Sequence, residues 1–442
     1  VVTPDPIKAR IQPSGLAVEL IDFCTPPPSS TGRPRAGLNF LYFAPDGTGR
    51  LYVNDTRGKI WRVDRNSGAT TLFLDLRAVR GSALIGDGLQ VGLRSFAFHP
   101  DYARAGRPGY RKLYTVSTET AASRPAATPT FSGECPTLFH DVLAEWSVDA
   151  ANTRVLPGSR REVLRIVEWR RDHNADQLMF DPNATPGTAN YGKLFVGVGD
   201  GGNWPSHPDP YEQAQDGRSL AGKILRIDPL QRGGKPFSIP PDNPFVGRAD
   251  ILPAIWAMGL RHPQNICFDL GGTRRMIFTD IGQAKIEEVN LGVRGANYGW
   301  PLREGTFVTA RFDETTLYAR GPNDAASGFT YPVAQYDHTE GRAITGGFVY
   351  RGSRVPSLRG QYLLGDMVNG RVFHVPVSHL KLGETAQLRE LTLKRNGRTV
   401  TLRELVNGPN YRVDLRFGQD SAGEVYVLTK QDGKIRRLVP PS

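Results

Sequence analysis

The sequence predicts an all-β fold, a six-bladed β-propeller of four-stranded antiparallel blades, forming a single domain over residues 1–442. Three observations predict it. A short unit of apolar strands recurs six times along the chain. The 49 Gly and 34 Pro are spread from end to end, which favours many short elements joined by turns over long helices. No linker interrupts the repeat, so two separate domains are set aside. A small sheet cannot bury both faces alone, and packing copies around an axis solves this.

Each copy reads as an apolar strand, a Pro/Asp/Gly turn, a second apolar strand, a polar loop and a third strand. The first runs through Leu41–Ala44, Leu51–Asn54 and Gly58–Asp64, and the second through Phe96–Phe98, Lys112–Val116 and Ala144–Asp149. The third holds Leu178–Phe180, Lys193–Asp200 and Gly222–Asp228; the fourth holds Ile266–Asp269, Met276–Asp280 and Ile286–Asn290. The fifth is looser, with Gly347–Gly352, Tyr362–Asp366 and Gly370–Val375. The sixth is Leu415–Gly418, Glu424–Leu428 and Gly433–Leu438. Ahead of them, Gly15–Phe23 reads as a strand with Leu16, Val18 and Leu20 on one face, placed to close the ring against the last blade. Residues 201–220 and 300–335 form long polar connections, a length uncommon unless loops build a site.

Composition bounds the function. Charged residues make up 22% and hydrophobic residues 39%, an ordinary globular balance, and no apolar run nears the roughly 20 residues of a membrane span. The net charge of +11 is dispersed, without a basic block or nucleic-acid motif, and suits anionic ligands or an acidic redox partner. The chain starts Val1-Val2-Thr3-Pro4, which fits a removed leader, implying export, or a trimmed chain. Of three cysteines, Cys267 lies in an apolar run, while Cys24 and Cys135 lie in loop-like stretches and could pair in an oxidising compartment. No Cys/His cluster suggests zinc.

Polar residues recur where loops hand over to the first strand of a copy. Arg170-Arg171-Asp172-His173-Asn174 precedes the third copy. A neutral imidazole there can take a proton, and a nearby carboxylate can orient it. Arg261 and His262 occupy the same slot in the fourth copy, and a guanidinium can grip a carboxylate bidentately. Gln90 precedes the second copy; Arg412 and Arg416 flank the start of the sixth. The turn Asp280-Ile281-Gly282-Gln283 offers carbonyls near carboxylates, which suits a hard cation such as calcium, although it lacks the spacing of an EF-hand. Singly, each reads as an ordinary loop-to-strand junction; together they place polar groups around one channel mouth.

The ordered set carries a resemblance. Gln90, Phe96–Asp101, Asp172-His173-Asn174, Val198-Gly199-Asp200-Gly201-Gly202, Leu220–Ile227, Gly259–Gln264, Asn297-Tyr298-Gly299-Trp300-Pro301 and Gly346–Gly352 resemble the glucose/sorbosone dehydrogenases, soluble quinoproteins that use pyrroloquinoline quinone (PQQ). The resemblance implies PQQ over the channel and a calcium ion on its quinone side. It implies His173 as the base that takes the sugar C1 hydroxyl proton while hydride leaves C1. It places Gln90 and Asp172 near the cofactor, Arg261 and the adjoining His262 against it, and Arg412 or Arg416 as the last-blade arginine. Gly282 and Gln283 match the pair whose carbonyls bind calcium. His262 replaces a frequent Asn and Gln283 a frequent Pro. The fifth-blade stretch Asp366–Arg371 lacks the lysine of the glucose enzymes, with Arg371 as a stand-in. The implied partners are an aldose and an external electron acceptor, a cytochrome or a quinone, in the periplasm or outside the cell. The alternatives are a calcium-dependent lactonase-type propeller, which would want an Asp/Glu/Asn ring, and a binding propeller without chemistry.

Overall fold

The computed structural model describes residues 6–86, 88, 90–131, 137–202, 212–283, 285–310, 313–406 and 412–441. The chain is mostly β, and the three strands read in each copy form antiparallel ladders. The first strands are largely buried. Along Leu93–Phe98 and Ala175–Phe180 every residue is buried. Alternate side chains point to opposite faces, so both faces of such strands are covered by other parts of the molecule.

A fourth strand that sequence reading did not find adds to the outer edge of each of the first five copies: Thr70–Asp75, Arg161–Glu168, Ile255–Met258, Ala334–Asp337 and Arg389–Arg395. At the sixth copy the outer place is taken by Gln12–Cys24. It pairs antiparallel with Lys434–Val439 and parallel with Arg389–Arg395. The sheets are not uniform. The second copy gains Thr130–Phe131, and the insertion after Trp300 folds into a separate three-stranded sheet of Arg303–Glu304, Phe307–Ala310 and Asp313–Tyr318.

Hydrogen bonds from residues on or just before the first strands run from copy to copy and return to their start. Asn39 donates to the Arg94 carbonyl at 2.7 Å. Arg94 grips Asp176, which in turn meets His262 Nε2 at 2.9 Å. Asn265 of the fourth copy accepts from the Gly346 N–H of the fifth, and Gln419 of the sixth donates to the Val349 carbonyl. Arg416 Nε completes the circuit to Asn39 Oδ1 at 3.2 Å. Aromatic rings of Phe40, Phe96 and Phe348 pack beside this polar circuit. The opposite ends of the first strands open into a mainly apolar cavity of about 340 Å³, with Phe43, Phe98 and Phe180 in its walls.

Candidate active site

His173 sits at the end of a turn, with φ of +52°. A non-glycine residue in the left-handed region costs free energy, on the order of 1–3 kcal/mol, and persists only where its surroundings hold it. Three contacts hold it here. The His173 N–H donates to Gln90 Oε1 at 2.6 Å, the Gly201 N–H donates to the His173 carbonyl, and the imidazole Nδ1 meets Asp200 Oδ1 at 2.7 Å. The strand that follows carries a register slip between Ala175 and Leu178, a bulge of the kind that re-aims side chains beside sites. Asp141 Oδ2 accepts the Ala175 N–H and fixes the start of that strand.

Asp200 is the residue that sequence reading missed. It accepts from His173 Nδ1, from the Gly202 N–H at 2.9 Å and from Trp300 Nε1 at 2.8 Å. A carboxylate on Nδ1 fixes the tautomer, leaving Nε2 as the basic nitrogen, and stabilises the imidazolium once a proton arrives. Burial raises Asp200, opposed by the Arg261 guanidinium and by these hydrogen bonds. Burial also holds His173 well below the usual imidazole range, helped by Arg261 and His262 and opposed by Asp172. His173 is therefore neutral near pH 7 and ready to accept a proton.

Asp172, expected beside the cofactor and as a carboxylate near the base, does not orient the imidazole. Its side chain is half exposed and lies 3.8 Å from Arg170. Adjacent residues on an extended chain point apart, and Asp200 reaches His173 through space instead. The one signal for it in the sequence was the strand end Val198-Gly199-Asp200-Gly201-Gly202.

Arg261 and His262 come from the slot predicted for them. The Arg261 N–H donates to Asp280 at 2.9 Å, and the His262 N–H reaches the same carboxylate. The Arg261 guanidinium turns onto the predicted calcium turn, where Nη1 donates to the Ile281 carbonyl at 2.9 Å and Nε to Gln283 Oε1 at 2.9 Å. It also lies over the Trp300 ring. His262 stacks on His173 with ring centroids 5.0 Å apart.

Gln90, His173, Arg261, His262, Gly282 and Gln283 thus converge. Of the two arginine candidates in the sixth copy, Arg416 is buried in the channel beside Asn39, while Arg412 is at the rim and binds Asp414. Arg371 does not stand in for the absent lysine. It is locked to Glu340 and Glu390, the latter on the outer strand of its own copy. Among the described residues no three His, Cys, Asp or Glu side chains converge as metal ligands. The Cys24–Cys135 pairing involves a residue outside those described; Cys24 and Cys267 are both buried.

The guanidinium groups of the site suit an anionic polycarboxylate, whose charge they would balance. Among the described residues, buried His262 Nδ1 and Asn174 Oδ1 have no hydrogen-bond partner. Arg261 and Arg416 are both buried and supply the positive charge.

A family model described as glucose/sorbosone dehydrogenase matches residues 39–437. The HIPL2 protein of Arabidopsis thaliana is 28% identical over 447 residues, covering 90% of this chain and 61% of that protein, so the chain spans about three-fifths of that relative's length. The aldose sugar dehydrogenase YliI of Escherichia coli is 26% identical over 270 residues, 61% of this chain and 60% of that one. Among solved structures, the soluble aldose sugar dehydrogenase of Escherichia coli in its apo form matches with a TM-score of 0.65 at 20% identity, covering 96% of this chain and 100% of that one. The PQQ-bound aldose sugar dehydrogenase of Streptomyces coelicolor matches with a TM-score of 0.61 at 21% identity, covering 97% and 99%. These structural matches establish a shared fold, and the family match extends over nearly the whole sequence: the chain belongs to the glucose/sorbosone dehydrogenase family.

Proposed function

We propose that this chain is a PQQ- and calcium-dependent aldose dehydrogenase that oxidises a sugar at C1 to the lactone and passes the electrons to an external acceptor. The observation that carries the reading is the imidazole of His173, fixed through Nδ1 by Asp200 and set beside Arg261 at the channel mouth. His173 Nε2 takes the proton of the C1 hydroxyl, and Asp200 stabilises the imidazolium that results. Loss of that proton and of a hydride from C1 leaves the carbonyl of the lactone. PQQ, when bound, supplies the two-electron acceptor for the hydride. Arg261, His262, Gln90 and Arg416 would hold it, and the Gly282 and Gln283 carbonyls would hold the calcium ion, with Asp172 and Arg412 at the rim. The stacked His262 ring and the Trp300 indole wall the base away from water.

The same reading takes the six repeats as six blades of one ring in a single domain, closed by Gln12–Cys24. The copy-to-copy hydrogen bonds that return to Asn39 support it. The reading also takes a periplasmic or secreted location and a cytochrome or quinone as acceptor. No described helix is long and apolar enough to cross a membrane.

The test is to add PQQ and Ca²⁺ to the apoprotein and follow dye reduction with a panel of aldoses. Turnover that needs both additions is expected; no cofactor spectrum and no turnover would sink the reading. A second reading, a propeller that binds without catalysis, draws on the likeness to HIPL2 and to the Hedgehog-interacting protein of Homo sapiens, 27% identical over 426 residues. It predicts ligand binding with no sugar turnover, and leaves the anchored His173 without a role.

A further inference from the structure

The channel beneath the two stacked imidazoles carries more positive than negative charge. Arg94 is answered by Asp176, which it grips through Nε and Nη2. Arg416 and Lys430 have no carboxylate within ion-pair distance among the described residues, and they are 3% and 6% exposed. Both donate to one neutral atom, Asn39 Oδ1, at 3.2 Å from Arg416 Nε and 3.1 Å from Lys430 Nζ. The remaining Arg416 contacts are its own Leu415 carbonyl and Met367 Sδ. Asp414, the nearest carboxylate in sequence, is engaged by Arg412 and Gln431.

Two buried cations sharing a single amide oxygen repel each other in a medium that screens poorly, and neither recovers its lost hydration. Burial and the guanidinium groups of Arg416 and Arg94 hold the Lys430 ammonium well below its ordinary range, opposed by the more distant carboxylates of Asp414 and Asp176. An anion at this point would satisfy both. Lys430 also lines a cavity of about 140 Å³ together with Arg57, Thr56, Gly37 and Asp414.

We propose that Lys430 and Arg416 form a carboxylate clamp for the cofactor, with Lys430 supplying from the sixth copy the ammonium group that the fifth copy lacks. The proposal rests on the PQQ reading above. It makes Lys430 a binding residue of the site, and the end of the strand Val425–Thr429 the place where the site differs from the glucose enzymes it resembles.

The test compares the parent chain with Lys430→Gln, which keeps a donor for Asn39 but removes the charge, and with Lys430→Arg, which keeps the charge. Arg416→Gln removes the other half of the clamp. Apoprotein is titrated with PQQ in the presence of Ca²⁺ and Kd is read from the ligand's absorbance; thermal unfolding is measured without PQQ. Expected are a tenfold or greater rise in Kd for each glutamine variant and a Kd within a few-fold of the parent for Lys430→Arg. The ligand-free glutamine variants should melt no lower than the parent, because one of two repelling charges is gone. An unchanged Kd in Lys430→Gln overturns the clamp and leaves the dehydrogenase reading standing. A parent chain that takes up no PQQ removes both. Failure of both glutamine variants to fold marks the cations as structural and overturns the clamp.

Discussion

On the dehydrogenase reading proposed above, His173 and Asp200 act as one unit, and each is expected to fail in its own way. A His173→Ala variant should lose about 10²–10⁴-fold in kcat while binding PQQ as the parent does, checked by steady-state kinetics beside a cofactor titration. Asp200→Asn should also lower kcat, since an amide can donate to Nδ1 and so leave the basic nitrogen on the wrong side. The pH dependence follows from the direction of the shift. His173 is held well below the usual imidazole range by burial and by the Arg261 and His262 groups, so it stays unprotonated as pH falls through 6.5. The acid limb of kcat/KM should therefore lie below pH 6.5; an inflection at or above that value would show a base in ordinary surroundings.

At the scale of the element, the loop-to-strand turn depends on a glycine just past the end of its neighbour strand Leu194–Val198. A Cβ on Gly199 would fall 2.2 Å from the His173 carbonyl oxygen and 2.7 Å from its Cβ. Gly199→Ala should push the turn aside, costing about 1–3 kcal/mol of stability in denaturant unfolding and lowering kcat more than it raises KM for the sugar. This scale also shows what was legible. The first three strands of each copy were readable because Pro, Asp and Gly punctuate them and their residues are apolar. The fourth strands were not. Arg161–Glu168 and Arg389–Arg395 mix charged residues with apolar ones, and Ala334–Asp337 is parted from its copy by the insertion. His173 and Arg261 could be found because both stand at the entry to a first strand. Asp200 and Lys430 follow second strands, and what places them beside the site is contact through space, which spacing along a chain does not encode.

For the whole molecule, the circuit of channel hydrogen bonds joins every copy to the next, and its most costly member to break is the buried pair of Arg94 and Asp176. Asp176 is held far below the carboxylate range by Arg94 and His262, which outweigh its burial. Removing one partner strands the other, so Arg94→Met should destabilise the protein by about 3–5 kcal/mol, measured by urea unfolding, and should also disturb His262. The strand Gln12–Cys24 has a further consequence. It lies far ahead of both of its partners, Arg389–Arg395 and Lys434–Val439, along the chain, so it can pair only once they have been made. Until then its backbone donors and acceptors form an open edge, available to any other extended chain nearby. The pairing of this strand thus waits on distant partners, and the nascent chain is exposed to misassociation before they emerge.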